Sequence, residues 1–281
     1  MNKRTALDHG LRWAGLGAVM LGLSIVVLLV GTVVVRGVPA LDLGFLWGAD
    51  SIDAARVGIG GALKGSLMTL AVTLGLALPL GVGTAIWLAE FAPRRRWTAL
   101  LDALIANLAA VPPILFGLLG LGVFIGAAHL PRSSSLVAGL VLTLMTAPVV
   151  ATASLGALRA VPSAIRDAAR GVGASPVQVA FHHVLPLAAP GIVTGALLGT
   201  ARALGEVAPL LLIGMNAFIA APPADLSAPA TTLSMQAFLW SDRLGNGFVE
   251  RTAGATLVLL AVLLLLTGTA AWVRHRWEQR L

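Results

Sequence analysis

Five stretches of this chain contain no Asp, Glu, Lys or Arg: Trp13 to Val35, Gly65 to Ala89, Ala103 to Pro131, Ser133 to Leu158 and Thr252 to Val273. Each is long enough for a membrane helix, which needs roughly 20 mainly apolar residues to cross about 30 Å of hydrocarbon. A sixth apolar stretch, about Leu187 to Ile219, is interrupted by Arg202 and Glu206. The expected fold is therefore all-α, a polytopic membrane protein with six transmembrane helices. The first stretch follows Lys3, Arg4 and Arg12, as a signal peptide's apolar region would. It is longer than the usual region of about 7 to 15 residues, so a retained helix is expected.

Only 11% of the 281 residues are charged, against about 25% in a soluble domain. A net charge of +7 in such a chain needs a positional explanation. Basic residues gather on the cytoplasmic side of membrane proteins. With the N-terminus inside, the cytoplasmic segments hold Lys3, Arg4, Arg12, Arg94 to Arg96, Arg159, Arg166, Arg170, Arg274, Arg276 and Arg280, against five acids. The opposite side holds six basic and six acidic residues, and Arg202 cancels Glu206. The whole excess thus lies inside, both termini are placed in the cytoplasm, and no basic stripe remains for a nucleic-acid partner. All seven tryptophans, Trp240 included, fall near expected helix ends and read as anchors in the headgroup region. A short interfacial helix is expected around Thr232 to Leu239, and Glu90 reads as an interfacial residue.

Two places carry functional information. The loop from Arg159 to Leu185 is too long for a plain turn. Pro162 and Ser163 suit a helix start, Gly171 and Gly173 a stop by positive φ, and Ser175-Pro176 a second start, with Pro186 closing a short helix through Val184. A helix-turn-helix lying on the membrane surface results. The second place is the pair Arg202 and Glu206. A charge at the bilayer centre costs roughly 2.5 to 3.5 kcal/mol on insertion scales, so both must face protein, water or each other. Gly191, Gly195 and Gly199 fall on the same helical face, which makes it a close-packing face as well. Pro209 removes a backbone donor and favours a kink or unwinding near Glu206. An arginine suits phosphate-like oxygens, but a buried ion pair that only orients helices fits this geometry equally well.

Asp167-Ala168-Ala169, Gly173 six residues after Asp167, and Leu185-Pro186 match the spacing of the EAA loop of ABC importer permeases. The string Arg202 to Leu210 (RALGEVAPL), with Ala85 to Pro93 and Val111 to Gly117, resembles phosphate ABC importer permeases of the PstA type. Asp167 replaces the usual Glu, His183 the usual Ile and Val207 the usual Thr. The resemblance implies the type I ABC importer permease (MetI-like) fold. It divides the chain into residues 1–60, a first helix and periplasmic loop, and residues 61–281, a five-helix core with the coupling loop 159–186. It implies that Arg166, Asp167, Ala168, Ala169, Gly173, Leu185 and Pro186 couple to an ATPase. Arg202 and Glu206 would line the substrate pathway. Implied partners are a homologous permease forming a heterodimer, two ATP-binding subunits, a periplasmic phosphate-binding protein and the lipid bilayer of a bacterial inner membrane. The function implied is ATP-driven import of inorganic phosphate; a permease for sulfate or molybdate would share the loop, and a secondary anion transporter would need no ATPase.

Other candidates are weaker. Asn107, Thr143 and Thr146 read mainly as helix-packing residues. His182 and His183 are adjacent, so they do not face one metal site. Gly58, Gly60, Gly61 and Gly65 lack the Lys-Ser/Thr ending of a phosphate-binding loop. No cysteine is present, and no triad, carboxylate dyad or metal cluster is legible. The chain is expected to be no enzyme and to bind no cofactor itself, ATP being used by the partner.

Overall fold

A computed structural model describes residues 3–93, 95–219, 221–243 and 247–278. Arg94 and Arg280, and the side chains of Lys3, Arg4, Asp8, Trp277 and Glu278, which entered the charge and tryptophan maps, lie outside the described residues. The helices are α1 (Lys3–Gly37), α2 (Leu43–Trp47), α3 (Gly60–Ile86), α4 (Arg96–Ala109), α5 (Pro113–Leu119), α6 (Ser135–Ala160), α7 (Ser163–Gly171), α8 (Pro176–Gln178), α9 (Leu185–Gly205), α10 (Ala208–Leu212), α11 (Leu233–Ser241) and α12 (Phe248–Glu278). Five are long and apolar enough to span a membrane: Leu11–Ala40, Gly60–Phe91, Ser135–Ala160, Pro176–Gly205 and Phe248–Arg276. A further pair, Arg96–Ala109 and Pro113–Ala127, is long and apolar enough only when its two halves are taken together, and these meet at 101°.

That bend corrects the straight third span expected from Ala103 to Pro131. Pro112 and Pro113 supply no N–H to the carbonyls of Leu108 and Ala109, and a residue before proline is pushed out of the α region. Pro112 accordingly sits at φ −56°, ψ 133°, and caps α5. An apolar count cannot detect this, because proline costs little hydropathy.

α6 is the central helix. Its N-terminus is capped by Ser134, whose Oγ accepts the Val137 N–H at 3.3 Å. It packs on α3 with backbones in close approach: a Cβ on Gly139 would collide with Val72, and one on Gly81 would meet Val150 at 2.8 Å. Hydroxyls tie the same pair, with Thr73 Oγ1 donating to Gly139 O at 3.3 Å and Thr143 Oγ1 to Thr73 O at 3.5 Å. Thr143 and Thr146 are buried in this packing, while Asn107 is exposed. On the other side α6 receives the glycine face of α9. The neighbour of Gly191 is Ala157, that of Gly195 is Ala153, and that of Gly199 is Thr146. The stripe read from the sequence is thus a helix-packing stripe, as expected of small residues in membrane bundles.

α1 stands apart, with its central residues unburied within the chain, and touches α12 where Gly37 meets Ala253 and Leu257. The short helix expected around Thr232 to Leu239 is α11, capped by Thr232, and it packs inside the protein. Leu233, Met235, Gln236 and Trp240 are all buried. Trp240 therefore departs from the anchoring role: its ring packs near Phe45 and Phe248, and its Nε1 donates to Asp50 Oδ1 at 3.2 Å. A ring whose N–H has an internal carboxylate partner gains more from the core than from a headgroup boundary. Asp50 also faces Arg243 at 3.6 Å, and Arg251 donates to Ala54 O and Ala40 O at 3.0 and 3.1 Å, pinning residues 38–59 against α12.

Candidate functional site

The loop after α6 folds as two helices. α7 starts at Ser163 with Pro162 as its cap and no side-chain cap bond, so Ser163 is a first-turn residue and does not cap. It ends through Gly173, at φ +88°, a conformation that L side chains rarely adopt. Gly171 does not share that role: it is the last helical residue and has no positive φ. Ser175 caps the next helix reciprocally, its Oγ accepting Gln178 N–H at 3.3 Å while Gln178 Oε1 accepts Ser175 N–H at 2.8 Å.

Pro186 does not close this second helix. The chain passes from α8 through a wide π-type turn, Val179–Val184, directly into α9. Leu185 N–H bonds to Ala180 O, one residue further back than in an α-helix. The widened turn lets the helix pass a proline that has no donor of its own and whose ring crowds the preceding turn.

The residues singled out in this loop divide between two faces. Ala169 is buried among Leu158, Val161, Val179 and Val184, with Leu185 packed against them and Pro186 partly buried. Asp167 and Ala168 point outward, and Asp167 meets only Arg170, at 3.3 Å between two exposed side chains. Val172, at 85% exposed, forms the tip, followed by exposed Val177 and Phe181. Apolar residues are thus left open beside exposed charges on this loop. His182 and His183 are both exposed, and among the described residues no group of three metal-ligating side chains exists.

Arg166 is different. It is only 15% exposed and bonds Glu90, itself 5% exposed, at 2.7 Å. Glu90 is thus enclosed against α7. It is the only acid between Asp53 and Asp102, which was the one available signal, and its partner lies 76 residues away in the sequence. Beside this pair opens a cleft of about 1120 Å³ lined by Arg95, Arg96, Asp102, Arg159 and Arg170, among others.

Arg202 and Glu206 meet at 3.5 Å between Nε and Oε1, with side chains 37% and 17% exposed. Glu206 ends α9 in extended backbone, φ −74° and ψ 135°, and α10 begins two residues later. Pro209 lacks the N–H that Gly205 O would take, so the sixth stretch breaks where the sequence suggested. Ser234 Oγ donates to Glu206 O at 3.2 Å, and Arg202 Nη1 donates to Ala109 O at 3.4 Å, at the bend between α4 and α5. Two helix breaks therefore meet at one guanidinium. Broken helices within a membrane are tolerated only where they are buried in protein or line a cavity.

Comparison with known proteins agrees with this architecture. The family model described as "Binding-protein-dependent transport system inner membrane component" matches residues 77–280. The chain is 29% identical over 265 residues to the probable ABC transporter permease protein YqgI of Bacillus subtilis (strain 168), with 89% of each chain covered. It is 34% identical over 222 residues to the phosphate transport system permease protein PstA 1 of Mycobacterium tuberculosis (strain CDC 1551 / Oshkosh), covering 77% of this chain and 70% of that one. An inward-facing structure of the MetNI methionine ABC transporter shares the fold, with a TM-score of 0.62 at 18% identity over 77% of this chain and 96% of that one. With the family model matched over residues 77–280, this chain belongs to the binding-protein-dependent inner membrane components, the ABC importer permeases, which are not enzymes and rely on a partner ATPase.

Proposed function

We propose that the chain is one permease subunit of a bacterial inner-membrane importer that moves inorganic phosphate into the cytoplasm. The observation that carries this reading is the placement of Arg202, whose guanidinium faces both Glu206 and the bend at Ala109. A permanent charge with a fork of donors attracts a tetrahedral oxyanion, and Glu206 tempers the attraction so that the ion can leave. PstA and PstC permeases among the relatives support phosphate as the anion. Moving each negative charge inward against 100 mV, inside negative, costs roughly 2.3 kcal/mol. The energy comes from two ATP-binding subunits docked at loop 159–186, on the apolar tip around Val172 and the outward face of Asp167 and Ala168. Both termini and this loop lie in the cytoplasm. A homologous permease completes the membrane part, and a periplasmic binding protein delivers phosphate.

The test is uptake of labelled phosphate by vesicles containing the assembled importer, with sulfate and molybdate as competitors. Phosphate uptake that resists both competitors and is lost in Arg202→Gln and in Glu206→Gln, at normal protein levels, is expected. Normal uptake in both variants sinks the pathway assignment. Strong inhibition by sulfate or molybdate moves it to another oxyanion. Deletion of residues 166–173 should abolish co-purification of the ATPase.

A further inference from the structure

Arg166 serves three segments at once. Its Nη2 donates to Glu90 Oε1 at 2.7 Å and to Leu158 O at 2.9 Å, its Nη1 to Val161 O at 2.7 Å, and its Nε lies 3.2 Å from both Glu90 oxygens. Leu158 belongs to the last turn of α6 and Val161 is its C-terminal cap. Leu158 O also accepts the Val161 N–H at 3.4 Å, so Arg166 reinforces a helix end whose last carbonyls lack α-helical donors, at the negative end of its dipole. Glu90 comes from the far end of the second span. There the helix widens into a π-type turn, Trp87–Phe91, closed by Ala92 N–H bonding to Trp87 O at 2.8 Å. An extra residue in a turn shifts the side chains that follow by about 100° around the axis, which re-aims Glu90.

The remaining ion pairs near this loop are exposed. Asp167 and Arg170 are 69% and 58% exposed, and Arg159 and Asp102 are 54% and 32% exposed. Such pairs contribute little and break readily. The Glu90–Arg166 pair is more enclosed, its side chains 5% and 15% exposed at the wall of the cleft, so separating its partners costs more than breaking those exposed pairs. Apart from this pair, α7 is held to the bundle by the apolar seat of Ala169. A displacement of α7 therefore either breaks a buried pair or carries the ends of α3 and α6 with it. Those two helices move together, because Gly139 against Val72 and Gly81 against Val150 leave no room for sliding.

We infer that Glu90 and Arg166 are positioning residues that form the link passing ATPase-driven movement of α7 to α3 and α6, separately from any part they have in holding the ATPase. This rests on the reading of loop 159–186 as the ATPase-docking loop. The class of residue matters: glutamine at 90 keeps an acceptor but loses the charge, and lysine at 166 keeps the charge but cannot serve a carboxylate and two carbonyls together.

The experiment uses the assembled importer with its ATPase and homologous permease in proteoliposomes. Phosphate moved per ATP hydrolysed is measured for Glu90→Gln, Arg166→Lys and the double variant Glu90→Gln/Arg166→Gln, in which no unpaired charge remains. All should co-purify with the ATPase and hydrolyse ATP, with phosphate per ATP falling at least tenfold. If the single variants fail to assemble, the double variant decides. Because the chain has no cysteine, Ala109→Cys adds a readout that needs no transported substrate. Its alkylation rate should change on trapping the ATPase with ATP and vanadate in the native background, and lose that change in the double variant. A native phosphate-to-ATP ratio or an intact alkylation change in an assembled double variant overturns the link. Retention of the ATPase after deletion of residues 166–173 would instead overturn the docking reading.

Discussion

The guanidinium of Arg202 occupies the acceptor that Pro113 leaves open. In a continuous helix the residue at 113 would donate its N–H to Ala109 O, and proline has none to give. Arg202 Nη1 donates there at 3.4 Å while its Nε faces Glu206 at 3.5 Å. A permanent charge thus holds one broken span and the end of another. Replacing Arg202 with Lys keeps the charge but loses the fork. Uptake should fall about tenfold or more, since a hydrogen bond to a charged group is worth about 1.5–3 kcal/mol. Uptake kinetics in vesicles at matched protein levels check this, and a near-native rate would show that charge alone suffices.

Gly195 packs so closely on Ala153 that a new Cβ would overlap the alanine's own. Gly195→Ala should destabilise the bundle by about 1–3 kcal/mol through overpacking. Adding Ala153→Gly should recover most of the loss, because the space is returned on the facing helix. Thermal unfolding in detergent of both single variants and the double gives the coupling directly.

Gly173 sits at φ +88° with nothing within 4 Å of where a Cβ would stand. Gly173→Ala therefore meets no neighbour, and its effect is one of backbone conformation, on the order of 1–2 kcal/mol. The turn after α7 should shift and ATPase co-purification weaken, while the thermal midpoint of the isolated permease changes little. Unchanged association would mean that the turn is not part of the docking surface.

Trp240→Phe should cost about 1–3 kcal/mol, read in the same unfolding assay. The ring volume is largely kept, but Asp50, 7% exposed at its side chain, loses the Nε1 donor.

Asp225 lies in the 214–232 loop, outside the spans. The Ser227 hydroxyl and the Ser227 and Ala228 amides all donate to it, and these bonds hold its carboxyl below the ordinary aspartate range. A depressed folded pKa stabilises the turn above the ordinary value. That contribution disappears as pH falls through the lowered one. Protection of the Ser227 and Ala228 amides from exchange, taken relative to the intrinsic rate at each pH, should be present at neutral pH and fall in acid. In Asp225→Asn the acid-dependent step should vanish; a step that persists would place its origin elsewhere.

The sequence by itself determined the medium and the apolar segments, because uncharged length is a property of segments. It determined the local ends too: Ser175 with Pro176, Gly173 after α7, and the break at Pro209 follow from residue chemistry over a few positions. It also placed the glycines at 191, 195 and 199 on a packing face, since a period of four is visible without a partner. Tertiary structure decided what depends on a second segment. At the Pro112-Pro113 bend the open carbonyl of Ala109 accepts from Arg202, and α11 is buried with Trp240 donating to Asp50. Pro186 passes through its helix because the turn before it widens. Glu90 read as an interfacial acid until α7 brought Arg166 to it across 76 residues. Apolar patterning records which solvent a segment prefers, whereas a buried charge or a donor-free proline is satisfied by one particular atom elsewhere, and that atom is fixed only when the chain closes on itself.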